Sequence, residues 1–215
     1  MVLSDHSIKE AIAQGRIIID PLGDDCVQPS SVDLHIDQYF RVFRNHTQGV
    51  IDVRCCLDWL EAQGYNRLGI VGTSLGSCYA FIATAHDPRI QVAAFNHAST
   101  YFADVVWHGQ STRHIREGLE TAIDLENLRQ VWRAVSPMVY FDKFSRWPRR
   151  SLIIYAKYDM TFLPEFSEQV VEEFAKHNLD HKVVVLPCGH YTMGETPYKY
   201  MDGWQLVSFL RTAFD

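Results

Sequence analysis

A serine stands between two glycines in residues 72–76 (GTSLG). The apolar run 68–71 precedes this segment and predicts a buried strand, while residues 75–86 predict a buried helix. A tight turn between a strand and a helix strains the serine backbone, and glycines without a Cβ let neighbouring elements pack against the turn. The pattern predicts that Ser74 is a nucleophile and that the amide of Leu75 faces the developing oxyanion. A purely structural turn is the alternative.

A serine hydroxyl is a weak nucleophile at neutral pH and needs a base. His190 follows a predicted strand at 183–186, and Asp159 follows a predicted strand at 152–155. The carboxyl ends of parallel strands meet at one edge of a sheet, which is where such sheets hold their ligands. We therefore predict that Ser74, His190 and Asp159 form a triad of nucleophile, base and orienting acid.

Other residues compete for the roles of base and acid. The chain has ten histidines, and His97 also follows a predicted strand, whereas His108 and His114 lie in a less regular region. Asp104 and Asp142 are the alternative acids, since either could reach the base from a different loop. The positions of His190 and Asp159 in loops that follow predicted strands favour them over these alternatives.

Aromatic side chains are the candidates for contact with a substrate. Tyr101, Trp107 and Tyr191 are predicted to bind it, and Phe141 and Trp147 could line the same pocket. Aromatic residues at such spacing are also typical of an ordinary apolar core.

Composition excludes several classes of function. The chain has 215 residues, of which 47% are hydrophobic, and a formal charge of −6, which argues against a nucleic-acid or anionic-membrane binder. No apolar run is long enough to span a bilayer, and the N-terminus lacks the pattern of a signal peptide.

Five cysteines are expected to be reduced thiols in a cytoplasmic protein. Residues 188–190 (CGH) lack a second ligand cluster, so we predict no metal and no cofactor.

The pattern changes near residue 50. Before it, we predict a helix at 4–14, a strand at 17–19 and a half-buried hairpin at 31–43. After it, apolar runs alternate with helical patterns, which predicts an α/β fold with a parallel sheet covered on both faces. The predicted strands are 68–71, 92–95, 152–155 and 183–186, and the predicted helices are 53–63, 75–86, 111–122, 125–135, 165–178 and 203–213.

Residues 52–215 resemble the C-terminal two-thirds of an α/β-hydrolase, close to bacterial members of the α/β-hydrolase domain 18-like group. The stretches that carry the resemblance are 68–77 (LGIVGTSLGS), 155–159 (YAKYD) and 186–191 (LPCGHY). The resemblance implies esterase-like chemistry with Ser74, Asp159 and His190 as the triad. It also implies a helical lid at 99–148.

Residues 1–51 resemble the N-terminus of bacterial dCTP deaminase. The matching stretches are 3–5 (LSD), 17–21 (IIIDP), 28–34 (QPSSVDL) and 40–45 (FRVFRN). That family builds a trimeric, β-rich fold related to dUTPases. Its catalytic Ser, Arg and Glu lie beyond the point where the match ends, so no residue here inherits those roles.

The chain thus resembles a junction of two partial proteins. A complete α/β-hydrolase has roughly four more strands before the helix at 53–63, and one of its early loops supplies a second oxyanion donor. Without those strands, the strand at 68–71 is an exposed edge. We expect residues 16–45 to add strands there, or a second subunit to cover the edge, and we predict a homo-oligomer. Tyr191, the lid or the N-terminal segment could replace the missing donor.

The function that these features favour is cleavage of carboxylic esters through an acyl-enzyme, with a small-molecule ester as the partner. Two alternatives stay open. One is a catalytically inert chimera that folds and oligomerises without a formed site. The other is a nucleotide-binding module of the deaminase type. The deaminase-like segment of this chain lacks the phosphate-binding part of that family, which counts against this alternative.

Overall fold

The computed structural model describes residues 5–16 and 45–214, and the chain divides into two compact units, Met1–Phe43 and Arg44–Asp215. In the first unit, helix α1 spans Asp5–Ala13, which confirms the helix predicted at 4–14. The strand predicted at 17–19 and the hairpin predicted at 31–43 lie outside the described residues.

The second unit alternates strands and helices along the chain. Helix α2 is followed by β1, α3 and β2, then by four short helices, and finally by β3, α8, β4 and α9. Their bounds are α2 Asn45–Ala62, β1 Leu68–Thr73, α3 Leu75–His86, β2 Ile90–Asn96, α4 Phe102–His108, α5 Arg113–Leu119, α6 Leu125–Val131, α7 Phe141–Phe144, β3 Arg150–Ala156, α8 Pro164–Lys176, β4 His181–Leu186 and α9 Tyr198–Phe214. Single 3₁₀ turns occur at Gln110–Thr112, Arg133–Val135, Pro137–Tyr140 and Thr192–Gly194. Within the described part of the chain, no helix is both long and apolar enough to cross a bilayer.

The four strands form one parallel sheet in the order β1-β2-β3-β4. All four lie where the apolar runs predict them, and each observed strand is slightly longer than its run. Because neighbouring strands run in the same direction, their carboxyl ends lie at one edge of the sheet. The loops that leave those ends carry the candidate site.

Both faces of the sheet are covered by helices, as predicted. Side chains alternate between the faces along each strand, so Phe95 and Ile153 pack with α3, α7 and α8, while Ala94 and Ile154 pack with α9. The two edge strands are less buried than their apolar sequences predict. Val71 in β1 is 44% exposed and Val185 in β4 is 46% exposed, because an edge strand extends past the helices that cover the centre of the sheet.

Helix α2 begins eight residues before the predicted start at residue 53. Gly49 in its first half lowers helix propensity and weakens the sequence pattern. A Cβ at Gly49 would lie 3.2 Å from the Tyr79 ring on α3. The glycine therefore permits a close approach of two helices, which local propensity does not reveal.

Ion pairs connect α2 to the turn after α3. The Arg89 guanidinium contacts the carboxylates of Asp58 and Glu61 at 2.6 Å and that of Asp87 at 2.7 Å, and Arg54 lies 3.3 Å from Asp87. Asp87 is buried, and the hydrogen bonds from Arg89 hold its pKa below the usual range even though burial alone would raise it. Removing a partner of a buried carboxylate costs more stability than removing a partner from an isolated surface pair.

Strand β1 lies at an edge of the sheet, and among residues 5–16 and 45–214 its only partner strand is β2. An exposed apolar edge pairs readily with another chain. The homo-oligomer therefore stays a prediction, and we expect light scattering after size-exclusion chromatography to give at least twice the mass of one chain. The mass of a single chain, unchanged over a wide range of concentration, would contradict it.

Candidate active site

Ser74 lies in the sharp turn between β1 and α3, with φ 57° and ψ −127°. This left-handed backbone is unfavourable for a residue with a Cβ and persists only where surrounding contacts hold it. The Ser74 amide donates to the Asn96 carbonyl at 2.9 Å. The amide and the hydroxyl of Ser77 donate to the Ser74 carbonyl at 2.8 and 2.6 Å. These three bonds hold the half-buried hydroxyl of Ser74 at the carboxyl end of β1.

The two glycines of the turn have different roles. A Cβ at Gly72 would lie 2.6 Å from the Ala80 Cβ and would also meet the Gly76 carbonyl, so the strand and helix approach too closely for any side chain. A Cβ at Gly76 would meet no described atom within 4 Å. The expectation that both glycines permit close packing therefore holds for Gly72 and is wrong for Gly76.

Hydrogen bonds join the three predicted triad residues in a row. The Ser74 hydroxyl donates to His190 Nε2 at 3.1 Å, and His190 Nδ1–H donates to Asp159 Oδ2 at 2.8 Å. His190 follows β4 and Asp159 follows β3, so loops from three strand ends meet at one edge of the sheet. An imidazole that donates from Nδ1 has its Nε2 lone pair free to accept the serine proton.

Asp159 is 3% exposed and its carboxylate has donors on both oxygens. Oδ1 accepts from the amides of Thr161 and Phe162, each at 2.8 Å, while Oδ2 contacts His190 and His97. Burial alone would raise the pKa of Asp159, but these contacts outweigh it and hold the pKa well below the usual range. The carboxylate is therefore ionised at neutral pH.

Three rings surround the His190 imidazole. Phe162 stacks on it with an interplanar angle of 8° and a centroid distance of 5.5 Å. The ring of Tyr191 meets it edge-on at 5.1 Å, and the ring of His97 lies 4.3 Å away. Phe162 is not among the site residues that the sequence predicts. Its place three residues after Asp159, in the same loop, is the signal that could have indicated it.

The predicted substrate-binding residues have separate locations. His190 and Tyr191 line a cavity of about 350 Å³, and Trp107 lines a second cavity of about 410 Å³; both cavities include Gln110 and Met160 in their walls. Tyr101 lines neither, and the Arg129 guanidinium lies 5.3 Å from its ring centroid. Contact of these three residues with a substrate stays a prediction.

Leu75 is the first residue of α3 and its side chain is 40% exposed. The first amides of a helix have no acceptor within that helix, so the Leu75 amide can donate to an oxyanion near Ser74. The oxyanion role of Leu75 stays a prediction.

The alternative acids have other partners. Asp104 is buried and accepts from the Arg129 guanidinium at 2.8 Å. Asp142 is exposed and lies 3.4 Å from His177 Nε2. Neither is joined to His190 in the described structure.

The segment predicted as a lid, 99–148, has two different parts. Gln110 and Ser111, after α4, line the cavity beside His190. Phe141 and Phe144 of α7 are buried in the core with α3 and α8. The second part therefore belongs to the body of the fold.

His97, Asp159 and His190 also place their ligand-type atoms within 4.8 Å of one another. The Asp159 oxygen lies 2.6 Å from one imidazole nitrogen and 2.8 Å from the other. Two tetrahedral ligands, each about 2.0–2.1 Å from a zinc ion, are roughly 3.3 Å apart. The spacing is that of hydrogen bonds, so the cluster as it stands does not fit a bound zinc ion.

The second unit has a truncated α/β-hydrolase fold, with four parallel strands among the described residues. The chain is similar to the acylaminoacyl peptidase of Pyrococcus horikoshii with a TM-score of 0.65 and 16% identity, over 80% of this chain and 28% of the peptidase. It is similar to the Pyrococcus furiosus esterase Pf2001 with a TM-score of 0.57 and 14% identity, over 77% of this chain and 62% of the esterase. For the putative non-heme bromoperoxidase BpoC of Mycobacterium tuberculosis, the values are 0.55 and 13%, over 78% of this chain and 74% of that one.

The beginning of the chain is similar to a different family. The family model described as dCTP deaminase-like matches residues 2–66. The dUMP-forming dCTP deaminase of Beutenbergia cavernae is 54% identical over 52 residues, which are 24% of this chain and 27% of that protein. That of Thermobifida fusca is 50% identical over 68 residues, 32% of each chain. The chain spans about a quarter to a third of the length of these deaminases. The predicted deaminase resemblance is confirmed, and so is the predicted α/β-hydrolase fold.

Proposed function

We propose that the second unit is a serine hydrolase that cleaves carboxylic esters through an acyl-enzyme. The observation that carries the proposal is the hydrogen-bonded row from Ser74 Oγ through His190 to Asp159, located at a strained turn between a parallel strand and a helix. The α/β-hydrolase fold supports it, although fold alone does not decide chemistry.

In the proposed first step, Ser74 Oγ attacks the ester carbonyl while His190 Nε2 takes the hydroxyl proton. Ionised Asp159 keeps the proton on Nδ1 and stabilises the imidazolium that forms. The Leu75 amide donates to the oxyanion of the tetrahedral intermediate. His190 then protonates the leaving alcohol, and water, activated by the same imidazole, releases the acid and restores Ser74.

The surroundings of His190 favour small, activated esters. The cavity beside it is largely apolar and open, with Tyr191 and Met160 in its wall. Only the Leu75 amide is assigned to the oxyanion, and the absence of one donor costs on the order of 10² to 10³ in turnover. An ester with a good leaving group needs less oxyanion stabilisation, so p-nitrophenyl acetate and butyrate are the first substrates to test.

The test is labelling with a fluorophosphonate, which reacts with an activated serine hydroxyl. We expect stoichiometric labelling of the folded protein, mapped by mass spectrometry to Ser74, and no labelling after heat denaturation. The inert chimera predicts no labelling and no ester hydrolysis. The nucleotide-binding alternative predicts thermal stabilisation by dCTP or dUTP instead. Labelling of the folded protein only at a residue other than Ser74 would contradict the proposal.

A further inference from the structure

His97 occupies the turn directly after β2, beside the triad. Its φ of 55° is in the left-handed region. Its amide donates to the Ile154 carbonyl at 2.9 Å, and its carbonyl accepts from the Ser77 hydroxyl at 3.1 Å. Ser77 also donates to the Ser74 carbonyl. One serine hydroxyl therefore connects the backbone of His97 with that of the proposed nucleophile.

The ring of His97 is buried against the proposed acid. The residue is 2% exposed, and Nδ1 lies 2.6 Å from Asp159 Oδ2, the oxygen that accepts from His190. The N–H is not well aligned with that oxygen, and Nδ1 has no aligned partner within the described residues. A buried polar nitrogen without a hydrogen bond is costly, and rotation of the ring toward Oδ2 would remove that cost.

We propose that His97 is a positioning residue of the hydrolase site, which donates from Nδ1 to Asp159 Oδ2 and shares that oxygen with His190. The inference rests on the proposed function. Two imidazoles contact the Asp159 carboxylate, and only that of His190 transfers a proton in the proposed reaction. The imidazole of His97 fixes the direction of the carboxylate. Its hydrogen bond also reduces the negative charge that the carboxylate presents to His190.

The charged and titratable groups around His97 come from three elements. Asp159 follows β3 and His190 follows β4. Burial raises the pKa of Asp202 of α9. The hydrogen bond that Asp202 accepts from the Asn96 amide at 2.9 Å partly offsets this rise, and so does the charge interaction with His97. Cys188, near both carboxylates, has a pKa raised chiefly by burial and is a neutral thiol at neutral pH.

Loss of the His97 donor should shift the pH profile of the enzyme in a predictable direction. With one donor fewer, the Asp159 carboxylate becomes more basic and stabilises the imidazolium of His190 more strongly. The base then takes up its inactivating proton at a higher pH. The acid limb of the pH profile of kcat/KM should therefore move upward, by about half a pH unit to one pH unit for one hydrogen bond.

Two variants separate this role from simple packing. In His97→Asn, the amide nitrogen can occupy the position of ring Nδ1, and asparagine tolerates the left-handed backbone. In His97→Ala, the donor is removed. We expect the acid limb of the alanine variant to shift upward and kcat to fall about 10-fold or more, with little change in KM. The asparagine variant should keep the limb near its wild-type position and recover most of kcat.

A second measurement does not depend on turnover. Imidazole protons in strong hydrogen bonds to a carboxylate resonate far downfield in proton NMR spectra. We expect two such Nδ1–H signals in the wild type and one in folded His97→Ala. An unshifted acid limb together with two retained signals in folded His97→Ala would overturn the role of His97. If the wild type itself fails to react with the fluorophosphonate, the proposed function fails, and the NMR signals still report whether His97 binds Asp159.

Discussion

Ser74→Ala is expected to abolish fluorophosphonate labelling and to lower kcat for p-nitrophenyl esters by at least about 10³-fold. The substitution removes one oxygen, the atom that forms the acyl bond. The strained turn is held by backbone hydrogen bonds and by Ser77, and none of these uses Ser74 Oγ. We therefore expect the variant to fold, with an unfolding temperature close to that of the wild type.

Ser145→Ala is the matched control, because Ser145 is an exposed serine outside the site whose hydroxyl donates to the Asp142 carbonyl. It should label and turn over like the wild type. Ester hydrolysis that persists in folded Ser74→Ala at more than about a tenth of the wild-type rate would show that another group performs the reaction.

Asp159→Asn is expected to lower kcat by about 10⁴-fold, the loss that the corresponding change causes in serine proteases. An asparagine amide can donate to Nδ1, which moves the imidazole proton to Nε2 and leaves His190 unable to accept from Ser74. The substitution also removes a buried charge that two backbone amides stabilise. Steady-state kinetics and thermal unfolding measure the two effects separately.

The control for that substitution is Asp142→Asn, which changes an exposed carboxylate that the sequence leaves open as an alternative acid. It should keep at least half of the wild-type kcat. Equal losses in the two variants, with both proteins folded, would remove Asp159 from the mechanism.

The sheet and the turn that carries Ser74 could be predicted because their signals are local. The runs at 68–71 and 152–155 are short and apolar and each follows a polar residue, and the four strands predicted after residue 50 are present. The order of strand, GTSLG and helix placed Ser74 correctly at the turn. His190 and Asp159 could be chosen because carboxyl ends of parallel strands share an edge, a constraint that needs no coordinates.

What could not be predicted depends on contacts between distant segments. The placement of Phe162 on His190 requires the loop after β3 to fold back over the loop after β4. The sequence indicates His97 only as a competing base, because its approach to Asp159 Oδ2 at 2.6 Å depends on how the loops after β2 and β3 fold together. A side chain would clash at Gly72 but not at Gly76. This difference likewise depends on how closely α3 approaches β1.

Helix α2 bears on how the chain could be divided. The deaminase-like match continues to residue 66, whereas the compact second unit begins at Arg44. The match therefore extends through all of α2 and does not end before the second unit begins. A chain shortened to begin at residue 52 would keep Asp58 and Glu61 beside Arg89 but would lose the first two turns of α2, including Gly49 against Tyr79. Residue 52, where the predicted resemblance changes from one family to the other, is therefore a poor position at which to truncate the protein.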